Sequence, residues 1–407
     1  MRIVIVGAGG AVGGVMADWL SRRDEYDEIV LAGYRRQSLK TIAEKMKGKE
    51  KAKIAIVNAN NIADMKKTFR GADVVVNSTL PRYFLKIMKA SLQVGANYVD
   101  MATDLAVIND PPNQLVKRVP LDLQLEQDKQ WKKEDLAAML CWGMDPGAVN
   151  VFTRYAADGM DKVDEIKIRD GDRSTIEGYD GFCSLWSPDT LIEESSYMNP
   201  LIFSNGHWER RVPFTVSEEF EFPPPVGKMK VWLVDHEETQ TLPRFIKKGC
   251  KNMSFMLHLD DEWVEVAKIL RKVGLVDSKP VNARGVKVVP RDVVVACMPS
   301  PVDPSIMEKV KGKSCVGSAV FGWKGDKKYM HFIWNTMSHK DCWRTYKATA
   351  TGSQVAIPTA IAVTLLAKGK IKEKGVFPPE VLDPKPIMRA FTQMKWPWEQ
   401  IKQRISE

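Results

Sequence analysis

The chain has 407 residues, so two or three domains are expected. Its hydrophobic fraction of 44% and charged fraction of 27% are typical of a globular protein with a buried core. The net charge of +9 comes from lysines and arginines that are scattered among acids, with no basic stripe interleaved with aromatics. This pattern argues against a nucleic-acid-binding protein and suits a protein that binds small anionic molecules.

The six cysteines lie far apart, without a CxxC pair or a Cys/His cluster. Neither a disulfide framework nor a zinc site is indicated, so the compartment is expected to be reducing. Polar residues interrupt the sequence soon after the first apolar run, which argues against a signal peptide. The longest apolar stretch, 355–367, contains Pro358 and is too short to span a bilayer. We therefore predict a cytoplasmic protein that does not interact with membranes.

The amino-terminal 36 residues predict a dinucleotide-binding unit. Residues 2–6 are a β-branched apolar run, typical of a strand buried on both faces of a parallel sheet. A glycine-rich turn at 7–14, a helix over 15–20 and a second strand at 28–32 follow. A glycine turn between a strand and a helix is the context in which such glycines bind a nucleotide.

The glycine turn has the spacing GxGxxxG. Gly7 would permit the tight turn, Gly9 would let the backbone approach a pyrophosphate, and Gly13 would let the helix pack closely on the strand. The residues predicted to contact the nucleotide here are Gly7, Gly9, Gly10, Ala11, Val12 and Gly13.

The end of the second strand indicates which nucleotide binds. An NAD site usually places Asp or Glu there, to accept hydrogen bonds from the ribose 2′-hydroxyl. This chain has Tyr34, Arg35 and Arg36 instead. Guanidinium groups pair with phosphate oxygens, so we predict NADP as the cofactor, without excluding NAD. The alternative is that both arginines lie on a solvated helix start.

Helices and strands alternate over the next hundred residues. Helices are predicted at 38–47, 61–69 and 83–94, and strands at 53–57, 73–77, 97–100 and 137–141. This alternation predicts a doubly wound parallel sheet, in which ligands bind at the carboxyl ends of the strands. Asn77, Ser78, Thr79 and Asp100, together with Asp104, are therefore expected near the reactive end of the cofactor.

The stretch from 105 to 135 is polar, and a single helix is predicted at 123–136. A turn at 143–147 then enters a helix that begins near Ala148. Asp145, followed by Pro146, could be the N-cap of that helix.

The character of the chain changes near residue 163, where strands begin to dominate. Strands are predicted at 163–169, 229–234, 253–258, 286–289, 315–321 and 328–334, with a helix at 262–273. This composition predicts an inserted α+β domain with a mixed sheet, after which the apolar helix 355–368 returns to the first domain. The predicted domains are a Rossmann domain (1–162 plus 346–384), a substrate-binding and dimerisation domain (163–345) and a tail (385–407), the last a terminal helix or a partner contact.

Several motifs together resemble the saccharopine dehydrogenase family. They are the Rossmann unit, the strand ends at 77–81 and 98–100, the turn 143–150, and the segments 184–188, 239–244, 351–369 and 375–380. The resemblance implies an NAD(P)-dependent oxidoreductase that acts at the C–N bond of an amino acid or polyamine, as lysine 6-dehydrogenase does. It also implies a homodimer and a small-molecule substrate.

Two alternatives remain open. The first is a reductase of the same family that forms a secondary amine, such as saccharopine or carboxynorspermidine. The second is a nucleotide-binding family member that has lost catalysis, because fold does not determine function.

Oxidation of an amine requires a general base at the reacting carbon and nitrogen. Asp100, at a strand end, is the first candidate, and the others are Asp104, Asp145 and His236 with Glu237 and Glu238. The alternative is a structural role, as a cap for Asp100 and Asp145 and as a buried histidine for His236. A substrate carboxylate needs a guanidinium partner, for which Arg244 comes first and Arg173 second, with Thr241 beside Arg244. The other histidines show no metal-ligand spacing, so no metal is predicted.

Overall fold

The computed structural model describes residues 1–103 and 109–405. They form two compact units. The first takes its described residues from 1–107, 118–155 and 352–398, and the second from 108–117, 156–351 and 399–407. Asp104, one of the residues predicted near the cofactor, lies outside the described residues.

The strands of the described chain are β1 (Arg2–Val6), β2 (Glu28–Gly33), β3 (Ala52–Ile56), β4 (Val74–Asn77), β5 (Asn97–Val99), β6 (Leu115–Val116), β7 (Ala137–Met139), β8 (Lys162–Ile176), β9 (Leu201–Ser204), β10 (His207–Arg210), β11 (Ser217–Glu221), β12 (Lys228–Leu233), β13 (Asn252–Leu257), β14 (Val281–Ala283), β15 (Val286–Val288), β16 (Val310–Lys324), β17 (Lys327–Ser338), β18 (Gly375–Phe377) and β19 (Glu399–Arg404).

The α-helices of the described chain are α1 (Ala11–Ser21), α2 (Arg36–Lys45), α3 (Ile62–Phe69), α4 (Phe84–Val94), α5 (Pro120–Leu125), α6 (Asp128–Lys133), α7 (Ala148–Asp158), α8 (Pro188–Ile192), α9 (Glu238–Phe245), α10 (Asp261–Lys272), α11 (Pro290–Cys297), α12 (Pro304–Met307), α13 (His339–Tyr346), α14 (Ala350–Ala367) and α15 (Pro384–Gln393).

The first unit is built on a parallel sheet. Its seven described strands lie in the order β18-β7-β5-β4-β1-β2-β3. β1 is an inner strand that pairs with β2 on one side and β4 on the other, and its Ile3, Val4 and Ile5 are fully buried. β-branched side chains pack well on both faces of such a strand, because helices cover each face. The predicted doubly wound Rossmann fold is confirmed.

The apolar helix predicted at 355–368 is longer at its amino end. α14 has 18 residues and a mean hydropathy of 1.4, so by length and composition alone it could cross a membrane. However, 78% of it is buried inside the protein. Inside the first unit its Thr364 hydroxyl lies 2.9 Å from the Tyr26 hydroxyl, and Thr359 donates to the carbonyl of Trp142. The return of this helix to the first unit agrees with the prediction.

The second unit is built on a mixed sheet. Eight of its ten described strands run in the order β19-β17-β16-β8-β13-β9-β10-β6, and β12 pairs with β13 and with β11. β8 and β13 are parallel, whereas the long pairs β8–β16 and β16–β17 are antiparallel. The prediction of an α+β unit with a mixed sheet is confirmed.

Two segments differ from the elements that we predict. The helix predicted at 123–136 is two short helices, α5 and α6, each of which buries its own apolar side chain, Leu121 and Trp131. The predicted tail, 385–407, contributes α15 to the first unit and β19 to the second, where β19 pairs with β17.

Candidate active site

The glycine turn follows β1 and is held against the end of β4. Gly7 has φ +87°, and a Cβ atom there would lie 2.5 Å from the carbonyl oxygen of Ser78. Gly13 lies in the first turn of α1, where a Cβ atom would lie 2.6 Å from the Gly7 oxygen. Because no larger residue fits either position, the turn keeps its backbone close to the strand ends.

The amino end of α1 is suited to an anion. Gly10 is the N-cap and provides no side-chain cap, and the first turn, which includes Ala11 and Val12, has no acidic residue. Helix N-termini carry unpaired N–H groups and a partial positive charge, which together bind phosphate. Gly9 contributes by its small size, since a Cβ atom there would lie 3.0 Å from the Cβ atom of Ser38.

The end of β2 presents two guanidinium groups. Tyr34, Arg35 and Arg36 are all exposed, with Tyr34 at 73%. The guanidinium carbon of Arg35 lies 5.0 Å from the centre of the Tyr34 ring. Neither arginine forms an ion pair within residues 1–103 and 109–405. The pair therefore fits a phosphate ester at this strand end.

The residues at the end of β4 join three strand ends. The buried Asn77 donates from Nδ2 to the Tyr98 hydroxyl over 2.9 Å, and its Oδ1 accepts from the Thr79 hydroxyl over 2.7 Å. Ser78 donates from its hydroxyl to the carbonyl of Val6 over 2.8 Å. These bonds fix the edge of the sheet beside the glycine turn.

Asp100 follows β5 and is completely buried. Its Oδ2 accepts from Gln124 Nε2 over 2.7 Å, and its Oδ1 accepts from the Cys141 N–H over 2.8 Å. Burial raises the pKa of this carboxyl group to about 7, against the lowering effect of these donors. Asp100 thus titrates near neutral pH while both oxygens are bonded inside the protein.

Asp145 lies in a tight turn between β7 and α7. Gly143 donates to the Pro146 carbonyl over 2.7 Å and accepts from the Ala148 N–H over 3.0 Å. Because α7 begins at Ala148, Asp145 is too far upstream to be its N-cap, so that interpretation is wrong. Asp145 is half-buried.

His236 belongs to an unusual part of the second unit. The residues from Asp235 to Thr241, which we call the 235–241 segment, are all polar and all buried. His236 Nδ1 lies 2.5 Å from Glu238 Oε2 and 3.5 Å from Glu237 Oε2. The imidazole ring stacks on Phe255 of β13, with ring centres 3.7 Å apart.

Burial shifts the pKa values of His236 and Glu238 in opposite directions. It lowers the pKa of His236 and raises the pKa of Glu238 to about 8, because both charged forms lose their hydration. The contact between His236 Nδ1 and Glu238 Oε2 therefore joins two groups whose uncharged forms are favoured by burial. His236, Glu237 and Glu238 bring their ligand atoms within 4.8 Å of one another, which is the one group of this kind found among the described residues.

The residues predicted to bind substrate lie on two elements of the second unit, α9 and β8. Arg244 lies in α9, with its guanidinium carbon 5.5 Å from the centre of the Trp208 ring, and Thr241 is fully buried one turn earlier. Arg173, on β8, donates to the carbonyls of Val226 and Lys228. Thr241 and Arg244 thus both lie on α9, the helix that begins two residues after His236.

Two buried partners were not predicted. Gln124, which binds Asp100, lies in a segment whose polarity gave no signal for a buried amide. Arg210 forms an ion pair with Asp235, over 2.5 Å between Nη1 and Oδ1, and neither side chain is exposed. The signal that could have been used is the run of seven polar residues beginning at Asp235, too long for a surface turn next to a strand.

The parallel sheet, the glycine turn and the open end of α1 define a dinucleotide-binding oxidoreductase. Comparisons with known proteins extend this class. The family profile described as "Saccharopine dehydrogenase NADP binding domain" matches residues 3–139, and "Saccharopine dehydrogenase C-terminal domain" matches residues 143–395. The chain belongs to the saccharopine dehydrogenase family.

Two curated relatives match over the whole length. A carboxyaminopropylagmatine dehydrogenase from Synechocystis sp. is 27% identical, over 98% of this chain and 97% of the relative. A carboxynorspermidine synthase from Vibrio cholerae is 29% identical, over 98% and 96%. Apo saccharopine dehydrogenase (L-Glu forming) from Saccharomyces cerevisiae shares the fold, with a TM-score of 0.69, 13% identity and complete coverage of both chains.

The family membership confirms three predictions. The protein is an NADP-dependent oxidoreductase, it is of the saccharopine dehydrogenase type, and its reaction is at a C–N bond. The predicted contacts of individual residues with NADP and substrate remain predictions.

Proposed function

We propose that this enzyme joins an amine and a carbonyl compound reductively, forming a secondary amine. The full-length similarity to the two relatives carries the proposal, because it includes the described residues of both units. Both relatives have names that denote a polyamine bearing a carboxyl group. Oxidation of the C–N bond of a carboxyaminopropyl amine to C=N by NADP, followed by hydrolysis with water, yields an amine and an aldehyde that carries an amino acid group; the proposed synthesis is the reverse. The lysine 6-dehydrogenase-like oxidation becomes second, since neither name describes it.

NADP would be held by residues of the first unit that fit it. The glycine turn and the amino end of α1 would bind the pyrophosphate, and Arg35 and Arg36 the 2′-phosphate. When bound, NADPH supplies the hydride that reduces the C=N bond. Asn77, Ser78 and Thr79 would keep the strand ends beside the cofactor in a fixed arrangement.

The amine must lose a proton before its nitrogen can attack the carbonyl carbon, and the carbonyl oxygen must leave as water. Among the predicted catalytic residues, we prefer His236 as the proton acceptor. Burial lowers its pKa, which favours the neutral imidazole, and the contact with Glu238 orients the ring. Asp100 would be a positioning residue, since both of its oxygens are bonded to Gln124 and Cys141. Asp145 stays a second candidate for the base.

The carboxylate of the aldehyde substrate would bind to a guanidinium group. Arg244 is preferred over Arg173, because Arg244 lies on α9 together with Thr241, directly after the 235–241 segment. Thr241, one turn before Arg244 on α9, would line the same region.

The cysteines and the family resemblance bear on localisation and assembly. All six cysteines are free, which agrees with a reducing cytoplasm. We propose a cytoplasmic homodimer, as the family resemblance implies. Light scattering of the purified protein during gel filtration tests the dimer, and a monomer at micromolar concentration would overturn it.

A matrix of amines and aldehydes tests the proposed function. Diamines of increasing length and agmatine are each combined with the semialdehydes of aspartate, glutamate and aminoadipate, and loss of NADPH fluorescence is followed. We expect consumption of NADPH that needs both partners and a product whose mass equals amine plus aldehyde, less water, plus two hydrogens. NADPH binding without turnover of any pair would overturn the proposal, and oxidation of a free amine by NADP would favour the second candidate.

A further inference from the structure

The 235–241 segment is a continuous run of buried polar side chains. It follows β12 and includes the first four residues of α9, and each of its seven side chains is at most 6% exposed. Burying a polar group without a hydrogen-bond partner costs roughly 1–3 kcal/mol, so such a run is costly unless its atoms are satisfied. Several are satisfied within the unit, and the remainder indicate what the segment binds.

The buried cations around the segment are paired with acids other than Glu238. Arg210 is bonded to Asp235, and Arg291 lies 3.2 Å from Glu193. Glu193 begins a π-helical turn, Glu193–Tyr197, whose Glu194 carbonyl accepts from the Asp235 N–H over 3.1 Å. Short π-helical turns are frequent at functional sites. The segment therefore packs against a second buried acidic turn whose own charge partner is Arg291.

Three atoms of the segment have no hydrogen-bond partner among the described residues: Oδ2 of Asp235, Oε1 of Glu238 and the hydroxyl of Thr239. All three residues are fully buried, and the charge of Asp235 is already paired with Arg210. The other oxygen of Glu238 is already bonded to His236, so Oε1 is the free lone-pair side of an oriented carboxylate. A buried carboxylate oxygen and a neighbouring hydroxyl are acceptors for an N–H donor that the chain itself does not supply.

We propose that Glu238 and Thr239 form the subsite for the cationic nitrogen of the amine substrate, with His236 orienting the carboxylate. This inference rests on the proposed function and names the group that selects an amine or polyamine. An ammonium or guanidinium group would donate to Oε1 of Glu238 and to the Thr239 hydroxyl, and its positive charge would lower the pKa of Glu238, which burial raises. Stacking on Phe255 holds the imidazole, and thereby the carboxylate, in place.

A divalent metal is the competing occupant of this cluster. Its three ligand atoms lie within 4.8 Å of one another. However, His236 Nδ1 and Glu238 Oε2 are 2.5 Å apart, which is a hydrogen-bond distance. Two ligands at about 2 Å from one tetrahedral ion are separated by more than 3 Å, so the present geometry favours the hydrogen-bonded pair.

The test compares Glu238→Gln and Thr239→Val with wild type. Gln keeps the shape of Glu but lacks the charge, and Val keeps the shape of Thr but lacks the hydroxyl. We expect Glu238→Gln to raise KM for diamines about tenfold to a hundredfold, as loss of a charge-assisted hydrogen bond does, and Thr239→Val by several-fold. KM for the aldehyde and the Kd of NADPH should stay within about twofold.

The matched control is Glu219→Gln, which changes an exposed acid of the same unit that pairs with Lys228. It should leave every constant unchanged. Direct binding is measured separately, by calorimetry with putrescine and with agmatine in the absence of aldehyde, so that folding and turnover defects do not obscure the result. Wild type should bind both amines, and Glu238→Gln should lose that binding while its NADPH affinity shows that it is folded.

Three results would overturn the subsite. Unchanged amine KM and unchanged amine binding in Glu238→Gln would remove Glu238 from recognition. Stabilisation of the wild type by Zn²⁺ or Mn²⁺ but not by amines, lost in Glu238→Gln, would make the cluster a metal site. If Glu238→Gln still binds amines and wild type turns over no amine–aldehyde pair, both this inference and the proposed function are wrong. If wild type turns over such a pair and Glu238→Gln does so with the same amine KM, only the subsite is wrong.

Discussion

The Oδ2 atom of Asp100 accepts a hydrogen bond of 2.7 Å from the side-chain amide of Gln124, and neither side chain is exposed to solvent. The Oε1 atom of the same Gln124 has no hydrogen-bond partner within the described chain. A protonated Asp100 could donate to that oxygen after rotation of the amide, whereas an ionised Asp100 cannot. The pair therefore tolerates both protonation states of a carboxyl group whose pKa is raised to about 7.

Asp100→Asn should flatten the pH dependence of stability. Because the pKa of Asp100 is higher in the folded protein than in the unfolded chain, the folded state binds more protons between about pH 4 and pH 7. Wild type should therefore lose free energy of unfolding as pH rises through this window. The Asn variant cannot ionise, and its amide can donate to Gln124 Oε1.

Urea denaturation at a series of pH values measures this prediction. The difference in unfolding free energy between Asp100→Asn and wild type should grow in favour of the variant from pH 4 to pH 7 and then level off. An equal slope in both proteins would show that Asp100 is ionised throughout the range.

Arg35→Ala and Arg36→Ala should weaken binding of NADPH but not of NADH. Each guanidinium that contacts the 2′-phosphate contributes about 1.5–3 kcal/mol, which is roughly tenfold to a hundredfold in Kd. Fluorescence titration with both nucleotides checks the prediction, and Lys40→Ala on the same exposed side of α2 is the control. Equal loss of both nucleotides would assign the arginines to another part of the cofactor.

Gly13→Ala should disrupt the cofactor site more than an ordinary glycine substitution. The added Cβ atom would lie 2.6 Å from the Gly7 oxygen and 2.8 Å from the Ala8 Cα atom, so α1 must move away from β1. We expect NADPH affinity to fall at least tenfold, because the helix N-terminus would no longer face the phosphates at its present distance. Gly159→Ala, whose Cβ atom would lie 3.4 Å from the nearest atom, is the control. NADPH affinity that remains at the wild-type level would show that α1 can shift without cost.

Local sequence patterns predicted the first unit well, because its signals are short-range. The β-branched run of β1, the glycine turn and the alternation of helices and strands each lie within a few residues of one another. The end of β8 was missed because Asp170 and Asp172 interrupt its apolar alternation, while pairing with β16 extends the strand to Ile176. A strand supported by a partner far away in sequence does not need a pattern of its own.

In the candidate site, too, local features could be predicted from the sequence and contacts between distant residues could not. His236 could be nominated from the sequence, since a histidine beside two glutamates is a local feature. The ion pair of Arg210 with Asp235 and the stacking of His236 on Phe255 could not be, because each joins the segment to a strand residue at least 19 positions away in the sequence. Burial of the polar run could have been suspected only from its length, since surface turns have the same composition but are usually shorter.

Breaking the ion pair of Arg210 and Asp235 should destabilise the second unit strongly. Both side chains are fully buried, Arg210 Nη1 also donates to the Asn199 carbonyl, and Asp235 Oδ1 also accepts from the Leu201 N–H. Arg210→Met leaves a buried carboxylate without its charge partner, so we expect a loss of about 3–5 kcal/mol in the free energy of unfolding. The double variant Arg210→Met with Asp235→Leu removes both charges and should recover much of that loss. Chemical denaturation of the single and double variants measures both effects, and a double variant as unstable as the sum of its single changes would show that the two side chains stabilise the unit independently.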